Sequence, residues 1–181
     1  MIEQIGILKN VFGDCTRTDK SNCVSKTSYE LINASHFYIV DEDNNDPVKI
    51  VGENDYYQLK ITNTEENEIC VLKTDKCLFN GGLRRRCDCV LFNDSKYFFV
   101  EISEAHKNTR KEKRKNAVEQ LEATIEFFKA HDIELSTFSS KAIICFKAIK
   151  PFITKASLLS KRAAFYENYK IELEEGNEIE F

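Results

Sequence analysis

Two acidic residues, Asp88 and Glu101, stand where the sequence otherwise indicates apolar strands. Asp88 lies between two cysteines and leads into Val-Leu-Phe, and Glu101 follows Tyr-Phe-Phe-Val. A carboxylate is costly to bury alone, so its position at the end of an apolar strand indicates a cleft or a bound cation. Two carboxylates brought together offer hard oxygen ligands for Mg²⁺ or Mn²⁺, which also engage phosphate oxygens. Such a site would suit the activation of water against a phosphodiester.

A hairpin is predicted to bring these two residues together. Residues 87–92 and 97–102 have the composition of strands, and the Asn-Asp-Ser-Lys segment at 93–96 is rich in turn formers. Side chains alternate across a strand, so Tyr97, Phe99, Glu101 and Ser103 share one face. An antiparallel pairing of the two runs places Asp88 and Glu101 at the same end.

The remaining elements predict an α/β protein. Strand-like runs at 56–61 and 68–72 extend the hairpin into a meander. A helix is predicted at 109–131, where apolar residues recur at steps of three and four, and a buried strand follows at 141–148. A helix at 27–37, a second helix at 155–169 and an acidic tail complete the predicted elements.

The constellation resembles the PD-(D/E)XK nuclease superfamily, in which an Asp enters one strand and Glu-x-Lys closes the next. The matching residues are Asp88, Glu101 and Ser103, and the resemblance covers residues 68–146. It implies a restriction-endonuclease-like α-β-β-β-α-β core, with a mixed central sheet flanked by helices. It also implies a metal-dependent nuclease in which Asp88 and Glu101 bind Mg²⁺ or Mn²⁺.

One departure concerns the lysine of the family pattern, because Ser103 cannot supply its positive charge. Counting back along the apolar stripe of the 109–131 helix places Lys111 and Lys107 towards the carboxylate end. Lys111 or Lys107 is therefore predicted to assist the attacking water. Gln120, on an adjacent face, is a further candidate for the same cleft.

Basic residues are clustered although the formal net charge is −4, a value that argues against a protein that coats polyanions generally. One cluster occupies residues 84–86 and another residues 107–115. Clustered arginine and lysine can neutralise phosphates, so DNA or RNA is the predicted partner. The candidate phosphate contacts are Arg84, Arg85, Arg86, Arg110, Arg114 and Lys115.

Length and composition indicate one folded domain of 181 residues, with a core at about 56–148 and a C-terminal helix and acidic tail at 155–181. The chain shows no signal-peptide pattern and no apolar stretch long enough to span a bilayer, so a cytoplasmic protein without a membrane partner is expected. Seven cysteines, an odd number, favour free thiols over a complete disulfide framework.

Other interpretations stay open at this point. Asp88 and Glu101 could be solvated carboxylates neutralised by the arginines at 84–86, and the 107–115 run could be a solvated first helical turn. A nuclease-like domain that has lost cleavage could bind nucleic acid or a protein partner, and an ordinary interaction module with an acidic tail is a third possibility. Four cysteines could bind zinc or an iron-sulfur cluster, but their spacing lacks the usual knuckle pattern; they are Cys70, Cys77, Cys87 and Cys89.

Overall fold

The computed structural model describes residues 6, 28–42, 46–78, 85–104, 109–133, 135, 139–146 and 156–181. Within these ranges the chain forms ten strands and two helices of known extent. The strands are β1 Tyr29–Ile32, β2 His36–Val40, β3 Lys49–Val51, β4 Leu59–Thr62, β5 Ile69–Lys73, β6 Cys89–Phe92, β7 Lys96–Ser103, β8 Ser139–Phe146, β9 Glu172–Glu175 and β10 Glu178–Glu180. The helices are α1 Arg110–Lys129 and α2 Ala156–Tyr169.

The larger sheet has six strands in the order β1-β5-β6-β7-β8-β9. Pairing is antiparallel from β1 to β7 and parallel from β7 to β9. Asn93 sets the β6–β7 turn, because its Oδ1 accepts from the backbone N–H groups of Ser95 and Lys96, each over 2.9 Å. The crossover from β7 to the parallel strand β8 contains α1, as parallel pairing requires a long connection.

A second sheet of four strands, in the order β10-β4-β2-β3, packs on the opposite face of the larger sheet. Side-chain alternation divides β7 between the two sides. Phe99 packs with Leu121 and Phe128 of α1, while Phe98 and Val100 join the apolar residues of the smaller sheet. The larger sheet is thus the middle of three layers, with helices on one face and the second sheet on the other.

Several sequence predictions are confirmed. The α/β class, the β6–β7 hairpin, the long helix α1, the buried strand β8 and the second helix α2 are all present. Buried residues of α1 recur at helical spacing, as Ala117, Leu121, Ile125 and Phe128 show.

Among the described residues, no helix combines the length and apolar character that a membrane span requires.

Three expectations differ from the structure. The helix predicted at 27–37 is wrong, since its described part forms β1 and β2 through pairing with β5 and β4. The strand predicted at 56–61 corresponds to β4 but lies in the second sheet, outside the meander. The segment expected as an acidic tail contributes β9 to one sheet and β10 to the other, because Leu173 and Ile179 alternate with its acidic residues and are buried.

Candidate metal site

Asp88 and Glu101 lie opposite each other at one end of the β6–β7 pair. Cys89 pairs with Val100 in the antiparallel register, so Asp88, one residue earlier, stands across from Glu101. The backbone N–H of Asp88 donates to the carbonyl of Val100 over 3.0 Å. The backbone N–H of Ile102 donates to Oδ2 of Asp88 over 2.6 Å. The neighbouring strand therefore fixes both the backbone and the carboxyl group of Asp88.

Both carboxyl groups are withdrawn from solvent, with 6% of the surface of Asp88 and 6% of that of Glu101 exposed. No donor within the described ranges reaches the Oε2 atom of Glu101, which is itself buried. Buried polar atoms in folded proteins almost always have a partner, and a buried ionised carboxylate without one is strongly disfavoured. This oxygen therefore requires either a proton or a bound cation.

Burial and the charges of neighbouring carboxylates make the two carboxyl groups weak acids. Burial, and next the charge of Asp41, raise the pKa of Asp88 to about 8, although the hydrogen bond from Ile102 acts in the opposite direction. Burial, and next the charge of Asp88, raise the pKa of Glu101 well above its ordinary range, and a side-chain hydrogen bond with Asp88 adds to this rise. When one carboxyl group is protonated it can donate to the other, and a divalent cation could replace that shared proton.

Three further charged residues surround this pair. The backbone N–H of Asp75 donates to the carbonyl of Asp88 over 3.3 Å, which places the loop after β5 beside the site. In that loop, Nζ of Lys76 lies 3.2 Å from Oδ1 of Asp41, the residue that follows β2. We call Asp41, Asp75, Asp88 and Glu101 the carboxylate cluster; Lys76 is the cation held within it.

Sequence analysis missed Asp41, Asp75 and Lys76. Asp41 directly follows the buried end of β2, and Asp75 comes two residues after β5, so both occupy the strand-end positions where functional side chains often lie. The signal for Asp41 was not used, because the helix predicted at 27–37 covers the start of β2 and no strand was predicted before Asp41. Its proximity to Asp88 also depends on the packing of one sheet on the other, which no local pattern encodes.

The donor set of the Asp88–Glu101 pair suits a hard divalent cation. Mg²⁺ is commonly held by one or two carboxylates while it keeps several waters. The unpartnered Oε2 atom of Glu101 gives such an ion an oxygen that nothing else in the described structure uses. No group of three or more His, Cys, Asp or Glu side chains within the described ranges is arranged as a metal cage. A two-carboxylate site completed by water and substrate is therefore the form that these residues can supply.

Of the residues predicted to assist the site, Lys111 and Gln120 lie within the described ranges. Lys111 is exposed on the first turn of α1. Lys107 lies outside the described residues. Gln120 points elsewhere, because its Nε2 donates to the carbonyl of Arg86 over 3.0 Å and so supports the segment that enters β6. Ser103, in the position of the family lysine, is buried at the end of β7.

Two of the predicted phosphate contacts, Arg86 and Arg110, are buried. The guanidinium of Arg86 lies 4.7 Å from the ring centre of Phe127, and that of Arg110 lies 4.3 Å from the ring centre of Phe146. Arginine favours such stacking because its planar group is weakly hydrated and attracted to aromatic faces. Both side chains therefore stabilise the packing of α1 in this structure.

Most of the other predicted phosphate contacts already face carboxylates. Arg114 forms a two-point ion pair with Glu175 of β9. Arg85 pairs with Glu119, and Lys115 lies 3.8 Å from the same carboxylate while remaining 71% exposed. Arg84 lies outside the described residues. Among the described residues of the 107–115 run, Lys111, Lys113 and Lys115 are exposed on the first turns of α1.

The alternative of a cysteine-bound metal finds no support. The five cysteines in the described ranges are all buried free thiols, and none belongs to a metal-binding group. Burial is the first cause that raises the pKa of Cys87 to about 12, so this thiol remains protonated and poorly suited to ligation.

Comparisons with protein-family models, curated proteins and solved structures found no match for this chain.

Proposed function

We propose that this protein is a metal-dependent nucleic-acid phosphodiesterase that holds Mg²⁺ or Mn²⁺ at Asp88 and Glu101. The observation that carries the proposal is the buried Oε2 atom of Glu101, which receives no hydrogen bond from the described residues, in a residue that stands across from Asp88 in the strand register. A protonated pair is the metal-free state that such burial favours. A divalent cation would neutralise the same two groups.

The arrangement of the larger sheet supports this proposal. The antiparallel strands β5, β6 and β7 are followed by α1 and then by β8, which runs parallel to β7. The same succession of strands and crossover helix is implied by the resemblance to the PD-(D/E)XK superfamily. Asp88 at the start of β6 and Glu101 within β7 also occupy the positions that this resemblance assigns to the acidic residues.

The protein's own residues would orient the site and exclude bulk water. Ile102 and Val100 fix Asp88 through backbone hydrogen bonds, so its carboxyl group needs little reorganisation to bind a cation. A bound divalent ion would polarise the phosphodiester and acidify an attacking water. The low exposure of Asp88 and Glu101 would strengthen their electrostatic interactions with that ion.

A second candidate is a nuclease-like domain that no longer cleaves and binds nucleic acid or a protein partner. Ser103 favours this alternative, because a buried serine stands where the family pattern has a lysine. In that case the carboxyl pair would retain its proton, and Lys111 and Lys115 on the first turns of α1 would contribute to binding.

A cleavage assay with matched variants tests the proposed function. Single- and double-stranded DNA and RNA are incubated with the wild-type chain in Mn²⁺, in Mg²⁺ and in EDTA. Metal-dependent cleavage is expected, and Asp88→Asn and Glu101→Gln should each lower its rate by at least about 100-fold, since two ligands hold the ion. Glu104 is an exposed carboxylate that follows β7. The variant Glu104→Gln is therefore the control and should cleave normally.

Thermal unfolding distinguishes loss of the metal site from loss of catalysis. Saturating Mn²⁺ should raise the midpoint of the wild-type chain by mass action and leave that of Glu101→Gln unchanged. If the wild type binds Mn²⁺ but does not cleave, Ser103→Lys becomes the informative variant, and cleavage gained by it would support the second candidate. A wild type that neither cleaves nor responds to the ion would contradict the proposed function.

A further inference from the structure

Lys76 has an unusual backbone conformation. Its φ angle is 58°, in the left-handed region that residues with a Cβ atom rarely occupy. Three other described residues outside glycine share a positive φ, Glu66, Asp132 and Lys170, but Asp132 and Lys170 follow helix ends and Glu66 lies in a turn. Lys76 also lies in a turn, in which the backbone N–H of Leu78 donates to the carbonyl of Lys73 over 3.1 Å, and it differs from these three because its ammonium group contacts Asp41 of the carboxylate cluster. Strained residues of this kind persist where the surrounding structure requires a particular side-chain position.

Asp41 holds the ammonium group of Lys76 in place. The 3.2 Å contact between Nζ of Lys76 and Oδ1 of Asp41 is largely shielded, with side-chain exposures of 24% and 13%. Asp41 is itself fixed by Gln58, whose Oε1 accepts from the backbone N–H of Asp41 over 2.6 Å and whose Nε2 donates to its carbonyl over 3.1 Å. The second sheet therefore determines where the positive charge lies.

The charge of Lys76 acts on the candidate metal site. It opposes the rise in the pKa of Asp88, whereas the charges of Asp41 and Asp75 reinforce that rise. Burial disfavours the charged form of Lys76, but attraction to Asp41, Asp88 and Asp75 outweighs it and raises the pKa of the ammonium group. Lys76 thus remains a cation that contacts Asp41 and whose charge acts on Asp88.

We infer that Lys76 is a catalytic residue of phosphodiester hydrolysis and that Asp41 is its positioning residue. The inference rests on the proposed function. It assigns to Lys76, in the loop between β5 and β6, the positive charge that a lysine at position 103 would supply. In the reaction the water oxygen forms a bond to phosphorus, the phosphorus–oxygen ester bond breaks, one water proton leaves to solvent and the departing oxygen is protonated. Negative charge grows on the phosphoryl oxygens, and a fixed ammonium group beside them stabilises that charge.

A purely structural ion pair would predict other consequences. Its loss would alter folding or metal affinity, whereas loss of a catalytic charge lowers kcat in a folded protein that still binds metal. The decisive variant is Lys76→Met, which keeps much of the length of the side chain and removes its charge. Lys76→Arg keeps the charge and serves as the conservative variant. Lys161→Met removes an exposed lysine of α2 and is the matched control.

The experiment measures Mn²⁺ affinity by calorimetry, and kcat and KM for a nucleic-acid substrate, in each variant. Lys76→Met should lower kcat by about 100- to 1,000-fold, as the removal of one charge-stabilising donor does. Its Mn²⁺ affinity and KM should stay within about threefold of wild type, a split expected when an interaction acts in the transition state. Lys76→Arg should recover part of the loss, and Lys161→Met should resemble wild type.

A complementation variant provides a second test. If position 76 supplies the charge that position 103 lacks, the double variant Lys76→Met, Ser103→Lys should have a kcat at least about tenfold above that of Lys76→Met alone, since one fixed cation replaces another. Unchanged kcat in Lys76→Met, or a loss that only follows weaker Mn²⁺ binding, would overturn the inference while leaving the proposed function standing. A wild-type chain that cleaves no nucleic acid would overturn both.

Discussion

Asp88 and Glu101 are buried side by side, and a folded protein tolerates two adjacent carboxyl groups only when something neutralises them. Burial and neighbouring carboxylates raise the pKa of both groups, so a proton bound to the pair would neutralise it when no metal is present. Lys76 reduces the repulsion from one side but does not remove the need for the proton. The same two groups therefore link protonation, metal binding and stability.

Stability of the metal-free protein should fall as pH rises from about 5 to about 8. The pKa of Asp88 is raised in the folded chain to about 8, against about 3.9 in an unfolded chain. Between these values the folded chain binds more protons, so the free energy of unfolding decreases with increasing pH. The slope should not exceed about 1.4 kcal/mol per pH unit for each carboxyl group. Urea unfolding in EDTA at successive pH values measures this dependence.

Asp88→Asn is the control for that measurement, because it removes one titrating group and keeps the shape of the side chain. Its stability should depend less on pH over the same range. Saturating Mn²⁺ should also flatten the wild-type profile, since the ion replaces the proton that is lost. An Asp88→Asn chain that loses stability as steeply as wild type would contradict the assignment of the titration to this pair.

At the scale of elements, α1 positions the segment that delivers Asp88 to the site. The backbone N–H of Cys87 donates over 2.9 Å to the hydroxyl of Thr124, which in turn donates to the carbonyl of Gln120 over 2.9 Å. Gln120 also bonds the carbonyl of Arg86. The side chains of Thr124 and Gln120 thus provide hydrogen-bond partners for the backbone N–H of Cys87 and the carbonyl of Arg86, immediately before β6.

Thr124→Val should lower the free energy of unfolding by roughly 1–3 kcal/mol, because it leaves the buried N–H of Cys87 without an acceptor while conserving volume. Chemical denaturation measures the loss. Thr124→Ser retains the hydroxyl that accepts from Cys87. Its free energy of unfolding should therefore be closer to that of wild type than the Val variant's, although it loses a methyl group. Equal stability of the Val variant and wild type would show that the Cys87 N–H finds another acceptor.

Local signals explain which elements sequence analysis could predict. The helical spacing of Leu121, Ile125 and Phe128 and the turn-forming Asn93 act within a few residues, and both α1 and the β6–β7 hairpin are present as predicted. The region of β1 and β2 was predicted wrongly because its strands are defined by distant partners, β5 and β4. Asp88 and Glu101 were found because the hairpin that joins them is local.

At the scale of the whole molecule, burial on both faces of the larger sheet conceals its architecture from the sequence. Every residue of β5 and β6 is buried, so neither strand shows the alternation that would reveal a second layer. The second sheet was therefore not predicted, and with it Asp41 was missed. The candidate site was predictable as a pair of residues but not as a cluster built between two sheets.

The C-terminal strands join the two sheets. β9 extends the larger sheet beside β8, and β10 lies beside β4 in the smaller one. Phe181 is buried against Phe98 of β7, with ring centres 5.0 Å apart. Glu175 holds Arg114 of α1. This acidic segment is consequently an integral part of the fold and not a cover over a basic face.

Removal of residues 172–181 should therefore abolish cooperative unfolding instead of exposing a binding surface, because one strand is lost from each sheet. Phe181→Ala is a milder change, and it should lower the free energy of unfolding by about 3 kcal/mol, as truncation of a buried Phe does. Tyr166→Ala, an aromatic residue of α2 that is 49% exposed, is the matched control and should change stability by less than about 1 kcal/mol. Circular dichroism during thermal unfolding follows all three chains. A truncated chain that unfolds cooperatively near the wild-type midpoint would show that β9 and β10 are dispensable.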